Sequence, residues 1–487
     1  MLFNSIEFAF FLPIVFLLYW LVFDRLIAKT NNQVKWQNAF VVVASYIFYG
    51  WWDWRFLLLL AVTSLCSWSS GLFIGKAQSK KRAKSWMWLN VALNLGILAL
   101  FKYFDFFVTE FAQLFSISTD GLLLKVVLPV GISFYTFQAL SYSIDIYRGK
   151  MEPEKDIIAF FAFISFFPQL VAGPIERATN LLPQFLKKRE FNYGNAVDGM
   201  RQILWGLFKK MVVADTCAVY VNQVFADYTN QIGSTLLLAA IFFAFQIYGD
   251  FSGYSDIAIG TAKLFGIKLM RNFNVPYFSR DIAEFWRRWH ISLTTWFRDY
   301  VYIPLGGSRV SKAKVIRNTF VIFLVSGFWH GANWTFIAWG GYHAILFLPL
   351  ILTGKNRKYT DQVAEDKLLP TIKEAGQMLV TFFLVVIGWI IFRSETIGQA
   401  WEYICGMMQF GTLRASYRLF ADFYVLDKTL LVIIMVLMEW FNKQHEHGFV
   451  EEVLLLKVVR YSIYVVLAFF VFVSYNQGGQ TFIYFQF

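Results

Sequence analysis

NTFVIFLVSGFWHGANWTFIAWGGYHAILFLPLILTG, residues 318–354, contains no Asp, Glu, Lys or Arg. A helix needs about 20 apolar residues to cross a bilayer, so this run fits one long crossing or two short helices. Periodicity does not choose between them. His330 lies near the middle, in VSGFWHGANW. An ionisable side chain at such depth is costly, and its first reading is functional. The bland alternative is a neutral imidazole donating one hydrogen bond to a neighbouring carbonyl. Upstream, FWRRWHISLTTWFRDY (285–300) places His290 among tryptophans and arginines. There the bland alternative is an interfacial histidine on a basic helix.

The same character extends over the 487 residues, of which 57% are hydrophobic and 16% charged, with a mean hydropathy of +0.50. A soluble chain carries about 25% charged residues. The composition therefore predicts an all-α polytopic membrane protein, and the 20% aromatic content suits lipid-facing surface and interfacial belts. A net charge of +12 would raise nucleic acid as a partner. In a membrane chain it reports cytoplasmic loops instead, and no nucleic acid is expected. Cys66, Cys217 and Cys405 are scattered and fit neither a disulfide framework nor a metal site. The N-terminus lacks a basic region and a small-residue cleavage site, so no cleaved signal is expected.

Taken in order, apolar segments fall at 6–23, 38–50, 56–75, 86–104 and 126–147. KAQSKKRAK (76–84) is a basic loop without acids, which sets it on the cytoplasmic side. The loop 105–124, with Asp105, Glu110 and Asp120, then faces outward, as does the N-terminus. Residues 157–172 are apolar but short and run into FFPQLVAGPIER (166–177). Pro168, Gly173 and Pro174 break the helix there, and the flanking basic residues favour a re-entrant segment over a crossing. Segments at 199–222 and 235–266 follow. From Lys268 to Arg317 the chain is basic and is assigned to the cytoplasmic face. Within it Phe285, Trp289, Leu293, Trp296 and Tyr300 form one stripe, and Arg287, His290, Thr294 and Arg298 the opposite one. That spacing predicts a basic amphipathic helix. After 318–353, further apolar stretches lie at 374–392, 429–441 and 454–474. The total is roughly 11 to 13 membrane segments. No soluble domain or internal repeat interrupts them, so residues 1–487 read as one transmembrane domain with a catalytic core at about 126–353.

Several polar groups compete with His330 for a chemical role. QIYGDFSGYSDIAIG (246–260) carries Asp250 and Asp256 in an apolar helix. Six residues at 100° each leave them about 240° apart, so they are no obvious carboxylate pair. Either they cap a helix break or they line a polar cavity. His343 would stand about 20 Å from His330 on a single helix, and it is read as structural. His445 and His447 in NKQHEHG read as a solvated loop lacking further metal ligands. The basic face, with Arg287, Arg288 and Arg298, is either plain topology signal or a landing surface for an anionic donor. No P-loop, dinucleotide fingerprint, nucleophile elbow or zinc motif is present.

FWRRWHISLTTWFRDYVYIPLGGSR followed by SGFWHGANWTFIAWGGYH resembles the membrane-bound O-acyltransferase (MBOAT) superfamily. The likeness is strongest to its bacterial branch of alginate O-acetylation and teichoic-acid D-alanylation membrane proteins. LPVGISFYTFQALSYSIDIYRG (128–149), FFPQLVAGPIER, QIYGDFSGYSDIAIG and the terminal FIYFQF agree with it, in order, from end to end. The resemblance implies re-entrant and transmembrane helices around a central tunnel. It puts the catalytic histidine on His330 and the second family position, His or Asn, on His290.

The function expected on these grounds is transfer of an acyl group, foremost acetyl. The donor is a cytoplasmic thioester, acetyl-CoA or an acyl carrier protein, and no cofactor is permanently bound. The acceptor is a hydroxyl of a cell-envelope or secreted polysaccharide, reached through an extracytoplasmic partner transferase. His330 serves as general base or covalent relay, and His290 positions or polarises the thioester. The location implied is the cytoplasmic (inner) membrane of a bacterium, multi-pass. Alternatives are D-alanyl transfer from a carrier protein to teichoic acid, a solute transporter, and a purely structural subunit.

Overall fold

Within hydrocarbon every backbone N–H must be bonded inside its own segment, and the apolar runs accordingly fold as helices. The computed structural model describes residues 1–119, 121–171, 173–365, 367–409, 423–449 and 457–476. Asp120 and the terminal FIYFQF stretch (482–487) lie outside them. Helices and their connections make up the described residues, and no strand occurs among them. Seven of these helices are long and apolar enough to cross a membrane: Ile6–Ile27, Arg55–Gly75, Lys80–Lys102, Gly233–Leu264, Trp334–Leu352, Ile372–Arg393 and Lys457–Tyr475. The sequence-based 11 to 13 also counts shorter pieces, such as 157–172, which folds as Ile157–Ser165 and Phe167–Leu170.

The chain divides into two compact units, the first comprising Met1–Ile203 and Ile257–Met270, the second Leu204–Asp256 and Arg271–Phe487. In the first, helices Arg55–Gly75, Lys80–Lys102 and Ile132–Tyr147 share a buried polar seam of Ser67, Asn90, Asn94 and Ser143. Arg189, in the same unit, is buried despite its charge, donating to Tyr19 Oη at 2.7 Å and Asn38 Oδ1 at 2.8 Å. The break at Phe166 is satisfied from within: the Gln169 amide donates to Phe163 O at 2.7 Å, and Phe167 N donates to Ser45 Oγ at 3.1 Å. That is what non-helical backbone at depth requires.

In the second unit the helix Gly233–Leu264 runs unbroken through Asp250 and Asp256, so neither acid caps a break. Their partners are Lys209 and Lys210, on the π-helical turn Phe208–Ala214. Lys209 meets Asp256 at 2.6 Å; Lys210 meets Asp250 and Asp215 at 2.7 Å each. Two acids on different faces pair with two consecutive lysines, which also point to different sides of their helix. Gly249 and Gly253 admit the contact, since a Cβ there would lie 2.9 Å from Lys209 O and 2.7 Å from Gly206 O.

The uncharged run resolves into two helices, Lys312–His330 and Trp334–Leu352. Gly327 packs on Phe336 and Gly340 on Phe323, so the two run antiparallel. Asn333 begins the second by accepting from Thr335 N at 3.0 Å.

Candidate active site

The expected amphipathic helix across 285–300 is two helices, Ile282–Arg288 and Ile291–Phe297, hinged at Trp289 and His290. His290 takes a left-handed conformation, φ 43° and ψ 55°. For a residue with a Cβ this costs on the order of 1–3 kcal/mol, and surrounding contacts must hold it. They come from Asn272. Its backbone carbonyl accepts from Ile291 N at 2.8 Å. Its side-chain Oδ1 lies 3.2 Å from Ser292 N, 2.8 Å from Ser292 Oγ and 3.1 Å from His290 Nδ1. His290 is buried among Phe251, Phe273 and Trp329. Burial pushes its imidazole down to about 3, so it is neutral at physiological pH.

His330 ends the helix Lys312–His330 and is 6% exposed. Trp329, Trp339 and Phe392 enclose it, with ring centroids 4.9, 5.2 and 5.3 Å away and planes nearly perpendicular to its own. The position offers two sources of stabilisation to an imidazolium. Carbonyls at a helix C-terminus carry partial negative charge, and aromatic rings attract cations. Trp329 touches both histidines, at 4.9 Å from His330 and 6.2 Å from His290.

Beside this pair opens a cavity of about 450 Å³. Trp286, Phe323, Phe347 and Ile351 supply apolar wall; Thr294, Thr319 and Ser326 supply hydroxyls; Arg287, Arg298 and Arg357 supply charge. Ser326 lies one turn before His330 on the same helix, and Phe297 of the lining packs on Trp329 at 6.5 Å. Of the three arginines singled out from sequence, Arg287 and Arg298 line the cavity. Arg288 is buried, paired with Glu284 at 2.7 Å and donating to Gln362 Oε1 at 2.8 Å. Arg357 carried no signal of its own, since its loop enters the cavity only through folding.

His343 is brought close to His330 by the helical hairpin. The two imidazoles flank the Trp339 ring at 5.1 and 5.2 Å, where a single helix would have held them far apart. His343 is fully buried, with Trp286 and Phe323 of the cavity wall beside it. Neither of its nitrogens has a hydrogen-bond partner among the described residues. His447, expected in a solvated loop, is buried and accepts from Phe449 N at 3.2 Å.

The sequence profile of the membrane-bound O-acyltransferase family matches residues 47–361, more than half of the chain. The chain belongs to that family. This membrane-bound O-acyltransferase is 39% identical over 448 residues to the probable alginate O-acetylase AlgI of Pseudomonas aeruginosa, covering 91% of this chain and 81% of that protein. It is 35% identical to the peptidoglycan O-acetyltransferase of Helicobacter pylori, over 84% of this chain and 80% of that one. Similarity to the teichoic acid D-alanyltransferase of Bacillus subtilis is 30%, over 55% of this chain and 69% of that protein. Membership makes the chain a multi-pass membrane enzyme and removes the solute-carrier and purely structural readings.

Proposed function

We propose that this O-acyltransferase moves an acetyl group from a cytoplasmic thioester to a hydroxyl of a cell-envelope or secreted polysaccharide. The observation that carries the reading is His330, held in an aromatic box at a helix C-terminus, one turn beyond an arginine-bearing cavity. Arg287, Arg298 and Arg357 suit the phosphates of coenzyme A or of a carrier-protein arm, and the apolar wall suits the chain behind them. His330 takes the proton of the acceptor hydroxyl; the oxygen attacks the thioester carbonyl; the C–S bond breaks, and the thiolate leaves with the proton from the imidazolium. Trp339 and the helix terminus lower the energy of the intervening cation.

The names of the relatives favour acetyl and polysaccharide, since the two O-acetyl-transferring relatives match far more of the chain than the D-alanyltransferase does. Handing the group to a polymer outside the cell assigns the protein to a bacterial cytoplasmic membrane and calls for an extracytoplasmic partner transferase. The deciding assay follows thiol release from acetyl-CoA by purified protein in nanodiscs. Release by wild type and none by His330→Ala is expected. Undiminished release by His330→Ala, or none by wild type from either acetyl-CoA or an acetylated carrier protein, would overturn the reading.

A further inference from the structure

We infer that Asn272 is the positioning residue of the acyl-transfer site: it holds His290 in the Nδ1–H tautomer, so that Nε2 presents a lone pair and not a proton. The inference rests on the reading of His290 as part of that site.

The argument starts from a group whose role cannot change. Ser292 N is a backbone amide and always donates. The Asn272 atom 3.2 Å from it must therefore be the carbonyl oxygen, Oδ1, and not the amide nitrogen. The opposite end agrees, since Nδ2 lies 3.1 Å from Ser255 Oγ, which accepts from it. Oδ1 can only accept. His290 Nδ1, 3.1 Å away, must then carry the ring proton. Ser292 Oγ, 2.8 Å from Oδ1, spends its own proton there and not on the imidazole 3.4 Å away. A neutral imidazole has one N–H, so Nε2 carries a lone pair.

Of the two roles first expected of His290, positioning or polarising the thioester, this disfavours the second. Polarising a thioester carbonyl would require a proton on Nε2. A ring fixed the other way offers a hydrogen-bond acceptor instead. Asn272 acts through His290: its backbone carbonyl pins Ile291 while its side chain pins the ring, and together they hold the left-handed hinge.

The experiment reads the tautomer by nitrogen-15 NMR of full-length protein labelled at histidine, with the His290 signals identified by their loss in His290→Gln. Wild type should show a protonated Nδ1 and an unprotonated Nε2. Asn272→Leu, which removes the acceptor, should shift the ring toward Nε2–H and lower kcat roughly 100-fold while KM for the thioester holds. Asn272→Asp restores an acceptor in the same place, and with it the Nδ1–H signal and most of the rate. A wild-type ring protonated on Nε2 would overturn the inference, and that spectrum needs no variant to fold. So would an Asn272→Leu protein with unchanged tautomer and rate. The spectrum is recorded without substrate, so a failed acyl-transfer assay would sink the functional reading and leave the tautomer assignment to stand or fall separately.

Discussion

Lys209 and Asp256 show how one residue's cost is met by another. Each is among the most expensive side chains to bury in an apolar environment. At 2.6 Å, with side chains 4% and 12% exposed, each neutralises the other, and the rings of Trp205 and Tyr248 lie within 6 Å of the ammonium. Removing one partner strands the other charge, at a cost of about 3–5 kcal/mol. Lys209→Met should therefore sharply lower the melting temperature in detergent, and Asp256→Asn in the same chain should recover part of the loss. Equal melting temperatures for wild type and Lys209→Met would contradict this. The acids were visible in the sequence as charges in an apolar run. Their partners were visible too, as consecutive lysines in another such run. What joined them was hidden, because pairing between elements leaves no mark on the spacing within either.

At the scale of elements, the hairpin of Lys312–His330 and Trp334–Leu352 positions His330. Its axis-to-axis approach is set by Gly327 and Gly340, where any Cβ would enter the carbonyl of the facing helix. Backbone cannot yield as a flexible side chain can, so Gly340→Ala should cost about 1–3 kcal/mol and displace His330 from its box. A large loss of thiol release is expected. The neighbouring Gly341→Ala is the control: its methyl would meet Leu324 Cδ2 at 3.8 Å, an ordinary contact, and activity should persist. Equal effects of the two substitutions would show that close packing at Gly340 is not what seats the histidine. The hinge at His290 is the complementary case. The stripes over 285–300 marked buried apolar positions correctly, for Phe285, Trp289, Leu293 and Trp296 are all in the core. Helical periodicity, however, carries no information about a single residue turned left-handed by a contact from Asn272.

Over the whole molecule, stability should respond to pH through Glu176, in the loop after the broken helix. Burial pushes its carboxyl up to about 7, although Met270 N and Asn180 Nδ2 both donate to it. An unfolded Glu titrates near 4.3. The folded state thus holds its proton more tightly, so this contribution is complete below pH ~4.3 and is lost as pH rises through 7. A shift of that size corresponds to about 3–4 kcal/mol, and Glu176→Gln should flatten that part of the stability curve. Parallel wild-type and variant curves from pH 4 to 8 would refute it. The sequence by itself determined the fold class, the family and the isolation of His330, because hydropathy, charge and motif order are properties of composition and position along one chain. Only the tertiary structure decided that the uncharged run folds back on itself, that Arg287 and Arg298 face a cavity while Arg288 is locked in an ion pair, and that Asn272 grips His290. These depend on close approach between segments distant in sequence, where glycine carbonyl contacts and the fixed direction of a backbone N–H select one arrangement among many that the pattern allows.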